Sequence, residues 1–366
     1  MSILTNIEKH LTSVRKFNGY TYFDVLKQGI LFPYDYFFRK GKSCMPLNIA
    51  LFLTLRCNAR CEMCNLKELL NKDREELSLE KIDEFLKEVK KFKPSIVLFG
   101  GEPILRSDFI DILRKVKSYD LSCGIFTNGT LFSPEVIKKI VELKMNFVAF
   151  SLQGIGETHD KIVGIKGAYN RIINAIKEFS KYPNKKTKII LHTTFSEDNL
   201  NDLGKIVGLG EKLKVDLIRF GHPTFFTGQD IERNKKVMRV LFPEEKIEEI
   251  SYAYEPKEKS DLFYKKISDF IDKYKGRFSI TPDLTKEEIK DWYSPDFKSK
   301  RKCYFVWRGL FIYPNGDVVP CESFRFVMGN INKQKFKDIW NSKKFIKFRK
   351  GLKNGLYPGC ARCCKL

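Results

Sequence analysis

Six short apolar runs alternate along residues 48–221 with longer, charged stretches that repeat at helical spacing. The runs are 48–55 (NIALFLTL), 95–100 (SIVLFG), 123–129 (CGIFTNG), 147–154 (FVAFSLQG), 188–195 (KIILHTTF) and 215–221 (VDLIRFG). Between them, 78–92 opens on Ser78 as a helix cap, and 133–144 places Pro134 just inside a helix start. Six strand–helix units predict a parallel α/β sheet with helices outside, as a partial (β/α)6 TIM-type barrel or a doubly wound sheet. Several runs end in polar or glycine-rich turns, and parallel α/β folds bind ligands at the C-terminal ends of their strands. The candidate chemistry therefore gathers on one face.

Residues 46–228 are read as the barrel, and residues 1–45 as an N-terminal extension. Its segment 22–38 is aromatic and partly amphipathic, suited to packing on the barrel or to lying on a membrane surface. Residues 229–300 are charged, lack cysteine and read as a helical connecting or capping segment. Residues 301–366 carry short β-like pieces and a hairpin turn at Pro314-Asn315-Gly316-Asp317, which predicts a small C-terminal α+β domain. A hydrophobic content of 43% in 366 residues excludes global disorder. The longest apolar run, 47–55, is too short to span a bilayer, and the N-terminal stretch does not read as a secretory signal. A cytoplasmic protein is expected, with peripheral contact at a membrane surface as an option.

Ten cysteines would suit a disulfide framework in a secreted chain, but without an export signal clustered thiols read as metal ligands. Cys44 and Cys123 stand alone and read as small buried hydrophobes. Cys57, Cys61 and Cys64 place three thiolates within eight residues after the first run. Three thiolates can hold three irons of a cubane and leave the fourth open, as a catalytic site requires. A zinc knuckle that borrows a distant fourth ligand is the alternative. The second run closes on Gly100-Gly101-Glu102-Pro103, where glycines permit close backbone approach and a carboxylate can pair with an ammonium.

The CxxxCxxC spacing, with GGEP at the next strand end, resembles the signature of the radical S-adenosylmethionine (radical SAM) superfamily. The resemblance implies that Cys57, Cys61 and Cys64 hold a catalytic [4Fe-4S] cluster whose open iron chelates S-adenosylmethionine. Reductive cleavage would then yield a 5′-deoxyadenosyl radical that takes a hydrogen atom from the substrate. An external reductase, ferredoxin or flavodoxin would supply the electron. The resemblance also assigns Gly100, Gly101, Glu102, Asn128, Ser151 and Thr194 to cofactor binding. Two positions depart from the family pattern: Met63 stands where an aromatic residue is common, and SLQG replaces SLDG, so Gln153 offers an amide for a carboxylate.

Cys303, twelve residues, Gly316, four residues and Cys321, followed by the Cys360–Cys363 pair, resemble the SPASM and twitch domains of the same superfamily. The resemblance implies one auxiliary [4Fe-4S] cluster on Cys303, Cys321, Cys360 and Cys363, serving electron transfer. Cys364 is a spare or competing ligand. A structural four-cysteine zinc site is the alternative.

The net charge is +22, and residues 297–366 hold 17 Lys or Arg against three acids. Such a basic end attracts nucleic acid, anionic lipid or an acidic substrate, or is simply a solvated surface. No nucleic-acid-reading module is recognisable, so a nucleic-acid partner is not expected, although a zinc-dependent nucleic-acid-binding protein is the competing class. The expected substrate is a peptide or protein side chain, with a small alcohol, sugar or lipid as alternatives. Arg219 on the sixth run reads either as a partner for a carboxylate or as a surface residue. His192 on the fifth run reads as pointing into the barrel or as a hydrogen-bonded core histidine.

Overall fold

A computed structural model describes residues 31–44, 46–72, 74–245, 261–294, 297–322 and 325–366. The six runs form β1 (Asn48–Thr54), β2 (Ser95–Gly100), β3 (Ser122–Thr127), β4 (Phe147–Ser151), β5 (Lys188–Thr194) and β6 (Leu217–Gly221). Each pairs in parallel with the next. The crossovers are α1 (Leu79–Val89), α2 (Phe109–Ser118), α3 (Pro134–Glu142), the pair α4 (Glu157–Val163) and α5 (Ala168–Ser180), and α6 (Leu203–Lys212). Ser78 caps α1 by accepting from Lys81 N, and Ser133 caps α3 ahead of Pro134. The partial barrel expected from the sequence is present.

Strand alternation separates two apolar faces. Ile49, Leu51 and Leu53 of β1 join the outer core with Ile82, Phe85, Leu86 and Val89 of α1. Ala50 and Phe52 point the other way, into an inner cluster with Phe99, Phe311 and Tyr313, while Phe126 and Phe147 belong to a second inner cluster. Edge-on contacts link Phe52 to Phe99 at 5.0 Å, Phe99 to Phe126 at 5.6 Å and Phe126 to Phe147 at 6.2 Å between ring centroids. The barrel is therefore lined by aromatic rings.

The sheet runs beyond the six expected strands to ten among the described residues. The segment 229–300 contributes α7 (Gly228–Leu241), α8 (Asp261–Lys273), β7 (Ser279–Thr281), which pairs with β6, and α9 (Lys286–Trp292). A three-residue strand carries no periodicity of its own, so β7 exists because β6 offers it an edge. On the opposite side, β8 (Gly309–Ile312) pairs in parallel with β1, and β9 (Asp317–Val319) and β10 (Gly329–Asn330) follow as antiparallel neighbours. The predicted hairpin turn joins β8 to β9, with Gly316 at φ +87° and its N–H donated to Tyr313 O at 2.9 Å. The C-terminal segment thus continues the barrel's own sheet.

That segment ends in α10 (Phe336–Trp340), α11 (Lys343–Lys353) and a cysteine-bearing turn. Arg349 of α11 is fully buried and donates to Val306 O and Trp340 O, both at 2.9 Å, between the rings of Trp340 and Phe345. It also reaches Gly41 O, which ties the N-terminal stretch down. A helical segment at 31–37 sets Phe32 and Tyr36 against Tyr304, leaving Tyr34, Phe37 and Phe38 exposed. The aromatic stretch at 22–30 lies outside the described residues. Among the described residues, no helix is long and apolar enough to cross a membrane.

Candidate active site

The cysteine loop leaves β1 at Thr54 and is clamped by the end of β2. Gly101 N donates to Thr54 O at 2.9 Å and Glu102 N to Arg56 O at 2.8 Å. A Cβ on Gly100 or Gly101 would stand 2.2 Å from those same two carbonyls, and Gly100 holds φ +132°. The glycines are thus required by the loop itself, a need the sequence did not separate from cofactor approach. Asn71 fixes the loop further, accepting from Cys57 N at 2.8 Å and donating to Cys57 O at 3.0 Å. Cys57, Cys61 and Cys64 lie near enough that the charge of Cys64 acts on both of the other thiols. Burial pushes the Cys57 thiol up to about 11 and Cys61 to about 12, and raises Cys64. Any metal held by these thiols must displace those protons.

Glu102 is completely buried and accepts from Thr127 Oγ1 and Asn128 N, both at 2.8 Å, and from Ile104 N at 3.3 Å. Burial lifts its carboxyl to about 7 even against these three donors. Asn128 donates to Asn58 Oδ1 at 2.8 Å inside the cysteine loop, beside Cys57. Ser151 and Thr194 sit at the ends of β4 and β5, half-buried on the same face. Gln153, the departure from the family pattern, braces that rim by accepting from Thr194 N at 2.9 Å.

Cys303, Cys321, Cys360 and Cys363 line one small apolar cavity with Phe305, Val306, Phe348 and Leu352. Burial raises the Cys303 and Cys360 thiols. Cys363 hydrogen-bonds to Cys364, which turns instead toward Thr224 and Lys365. The cysteine-bearing turn is anchored by Arg362, fully buried, which donates to Asp230 Oδ2 at 2.6 Å, to Trp292 O at 2.7 Å and to Ser294 O. Among the described residues no three ligand-type side chains converge on the position of a single metal ion. Thiolates on a cubane bind different irons and stand wider apart than thiolates around one ion. The three-thiol loop and the four-thiol apolar cavity both suit clusters.

The two thiol sets are neighbours. Asn65, directly after Cys64, donates to Glu322 Oε1 at 2.6 Å, and Glu322 directly follows Cys321. Glu322 is deeply enclosed, and its carboxyl is raised first by burial and then by Cys364. Past it lie Lys365 from the C-terminal turn and, on the barrel wall, His192 and Arg219. Burial, aided by Arg219 and Lys365, lowers His192 to about 3 and holds it neutral. His192 therefore belongs to the lumen. The hydrogen-bonded core histidines are His159, accepting from Gln153 N at 3.0 Å, and His222, 3.0 Å from Tyr293 Oη. Asn65, Glu322 and Lys365 escaped the sequence reading, where only their adjacency to cysteines marked them.

Comparison with known proteins agrees with this geometry. Residues 51–209 match the radical SAM superfamily, and residues 303–364 match the SPASM iron-sulfur cluster-binding domain. The chain belongs to the radical SAM superfamily and carries a SPASM domain, so a catalytic [4Fe-4S] cluster, S-adenosylmethionine and auxiliary iron–sulfur chemistry are its cofactors. The zinc alternatives fall with that assignment. AdoMet-dependent heme synthase of Methanosarcina barkeri is 28% identical over 83% of this chain and 85% of its own length. Fe-coproporphyrin III synthase of the same organism is 32% identical over 46% of this chain, which spans 42% of that protein. Among solved structures, Streptococcus suis SuiB bound to S-adenosylmethionine superposes with TM-score 0.64 at 17% identity, covering 94% of this chain and 73% of SuiB. SuiB has also been solved with its precursor peptide SuiA.

Proposed function

We propose that this radical SAM enzyme oxidises or cross-links a side chain of a peptide held in the aromatic barrel lumen between its two thiol sites. The observation that carries the proposal is the Asn65–Glu322 bond, which brings the cysteine loop and the four-thiol cavity to one barrel mouth. Cys57, Cys61 and Cys64 would hold the catalytic cluster, with Asn128 beside Cys57 and Ser151 and Thr194 on the rim toward S-adenosylmethionine. Once bound, the reduced cluster supplies the electron that cleaves S-adenosylmethionine to methionine and a 5′-deoxyadenosyl radical, which removes a hydrogen atom from the substrate. Cys303, Cys321, Cys360 and Cys363 would hold an auxiliary [4Fe-4S] cluster positioned to accept or relay an electron from the substrate radical. Phe52, Phe99, Phe126 and Phe147 keep bulk water from the radical's path. A small external protein of ferredoxin or flavodoxin type would reduce the catalytic cluster.

A tetrapyrrole is the second substrate reading, favoured by the match to AdoMet-dependent heme synthase over most of both chains. The exposed rings of Tyr34, Phe37 and Phe38, beside Arg39, Lys40 and Lys42, support a peripheral contact with anionic lipid. Co-sedimentation with vesicles of rising anionic content measures that contact, and binding that ignores lipid charge rejects it. The radical chemistry itself is tested with anaerobically reconstituted protein and dithionite. 5′-Deoxyadenosine should form with wild type and vanish when Cys57, Cys61 and Cys64 are all alanine. Its absence from wild type with a full iron complement would sink the proposal.

A further inference from the structure

We propose that Arg219 and Lys365 form an anchor for a substrate carboxylate at the barrel mouth; the inference rests on the radical SAM reading of the lumen. Arg219 is in register with His192 on β5 and with Ser279 on β7, and His192 is in register with Ser151 on β4. These residues form one row across four neighbouring strands, on the same face as the inner aromatic rings. Lys365 sits on the turn that carries Cys360 and Cys363, which meets β7 where Thr281 Oγ1 donates to Cys364 O at 2.9 Å, and its charge lies close to that of Arg219.

Arg219 is half-buried on the barrel wall, and Lys365 is exposed at the edge of the four-thiol cavity. Among the described residues, neither side chain has a hydrogen bond or an ion pair. Lys365 has the ring of Phe305 5.6 Å from its Nζ, and Cys364 is the nearest opposite charge acting on it. The facing titratable groups are Cys363, Cys364, Glu322 and His192. Glu322 is the only carboxylate among them and is already engaged by Asn65, and the Cys364 thiol, lowered to about 5 first by its hydrogen bond with Cys363, is the other acidic group that faces both cations. A half-buried guanidinium with no hydrogen-bonded acceptor is left unsatisfied, and its planar fork is shaped to take a carboxylate on two N–H donors.

The aromatic lining sets the rest of the ligand. Phe52 stacks on Tyr313 at 4.8 Å, and Phe126 meets the His192 ring edge-on at 5.6 Å. The lumen thus suits a carboxylate attached to a flat or apolar body. An acidic side chain next to an aromatic one in a peptide has that chemistry, and so does a propionate on a tetrapyrrole.

The test uses the full chain, reconstituted anaerobically, as wild type and as Arg219→Gln, Arg219→Lys and Lys365→Met, with thermal melts to confirm folding. Binding of two probes is measured: coproporphyrin III by its Soret shift, and a fluorescent peptide of alternating glutamate and phenylalanine by anisotropy. S-adenosylmethionine affinity is measured alongside. For whichever probe binds wild type, Arg219→Gln and Lys365→Met should each weaken binding by roughly 30-fold or more. Arg219→Lys, which keeps charge but loses the fork, should fall in between. The probe that binds identifies the source of the carboxylate. Variants that bind the probe as well as wild type overturn the anchor, as does a wild type that binds neither probe. If S-adenosylmethionine affinity falls as much as probe affinity, the pair serves the cofactor's carboxylate and the inference fails. A wild type that binds a probe through these cations but makes no 5′-deoxyadenosine keeps the anchor and rejects the radical reading.

Discussion

Asn65 Nδ2 donates to Glu322 Oε1 at 2.6 Å, and each residue directly follows a cysteine, Cys64 in one case and Cys321 in the other. Arg325 Nη2 adds a longer bond to Asn65 O at 3.4 Å. A single side-chain pair thus sets the C-terminal segment against the last residue of the cysteine loop. Hydrogen bonds to charged groups contribute about 1.5–3 kcal/mol, so Glu322→Ala should slow 5′-deoxyadenosine formation by roughly tenfold or more. Glu322→Gln keeps an acceptor and should retain most of the rate. EPR of the reduced protein with S-adenosylmethionine checks the cause. The alanine variant should show a broadened or shifted catalytic signal, and an unaltered spectrum would refute the tether.

Arg362 makes the second testable contact. Its guanidinium is fully buried against Asp230, Trp292 O and Ser294 O, and the ring of Phe225 lies 4.6 Å from it. Removing one partner of a buried pair costs about 3–5 kcal/mol, because the other charge is left without compensation. Arg362→Met should therefore loosen the turn that carries Cys360 and Cys363. Iron should fall from about eight toward about four per chain, since each cubane holds four. Asp230→Asn, which leaves the arginine its two carbonyls, should lose less. Equal iron in wild type and Arg362→Met would show that the turn does not depend on this anchor.

Cys363 and Cys364 were equivalent as letters in the sequence, and the structure separates them. Cys363 lines the cavity with Cys303, Cys321 and Cys360, whereas Cys364 turns toward Thr224 and its carbonyl accepts from Thr281 Oγ1 at 2.9 Å. Cys363→Ser should lose auxiliary iron, and Cys364→Ser should keep it. Iron and sulfide analysis with EPR decides, and the reverse pattern would reassign the fourth ligand.

The barrel was legible because each of β1 to β6 buries an apolar face and ends in a turn of distinctive composition. The GGEP turn and the cysteine spacing were legible for a related reason: Gly100 and Gly101 tolerate no side chain where the loop crosses them. What stayed hidden depends on pairing between distant segments. β8 is a four-residue strand, Gly309–Ile312, whose parallel partner β1 begins at Asn48, and local patterning says nothing of that register. Lys365 looked like one more basic residue in a basic tail, and only the fold turns it toward Arg219. Gln153 looked like a weakened ligand, yet its amide bonds to the backbone of Thr194.

Acid should destabilise this fold through its buried histidines. Burial lowers His159 to about 4 and His192 and His222 to about 3, against an ordinary value of 6.5. Each ring binds fewer protons folded than unfolded in that interval, so stability rises with pH there. The contribution is intact above about 6.5 and is lost progressively as pH falls toward the folded values. His159 isolates the effect, because Gln153 N donates to its Nδ1 and an asparagine oxygen can accept the same bond without titrating. Between pH 7 and 5 the ring should account for about 2 kcal/mol of lost stability, and His159→Asn should remove that part of the slope. Urea unfolding of the two proteins across this range measures it, and parallel pH profiles would mean that His159 titrates in the fold as it does in the unfolded chain.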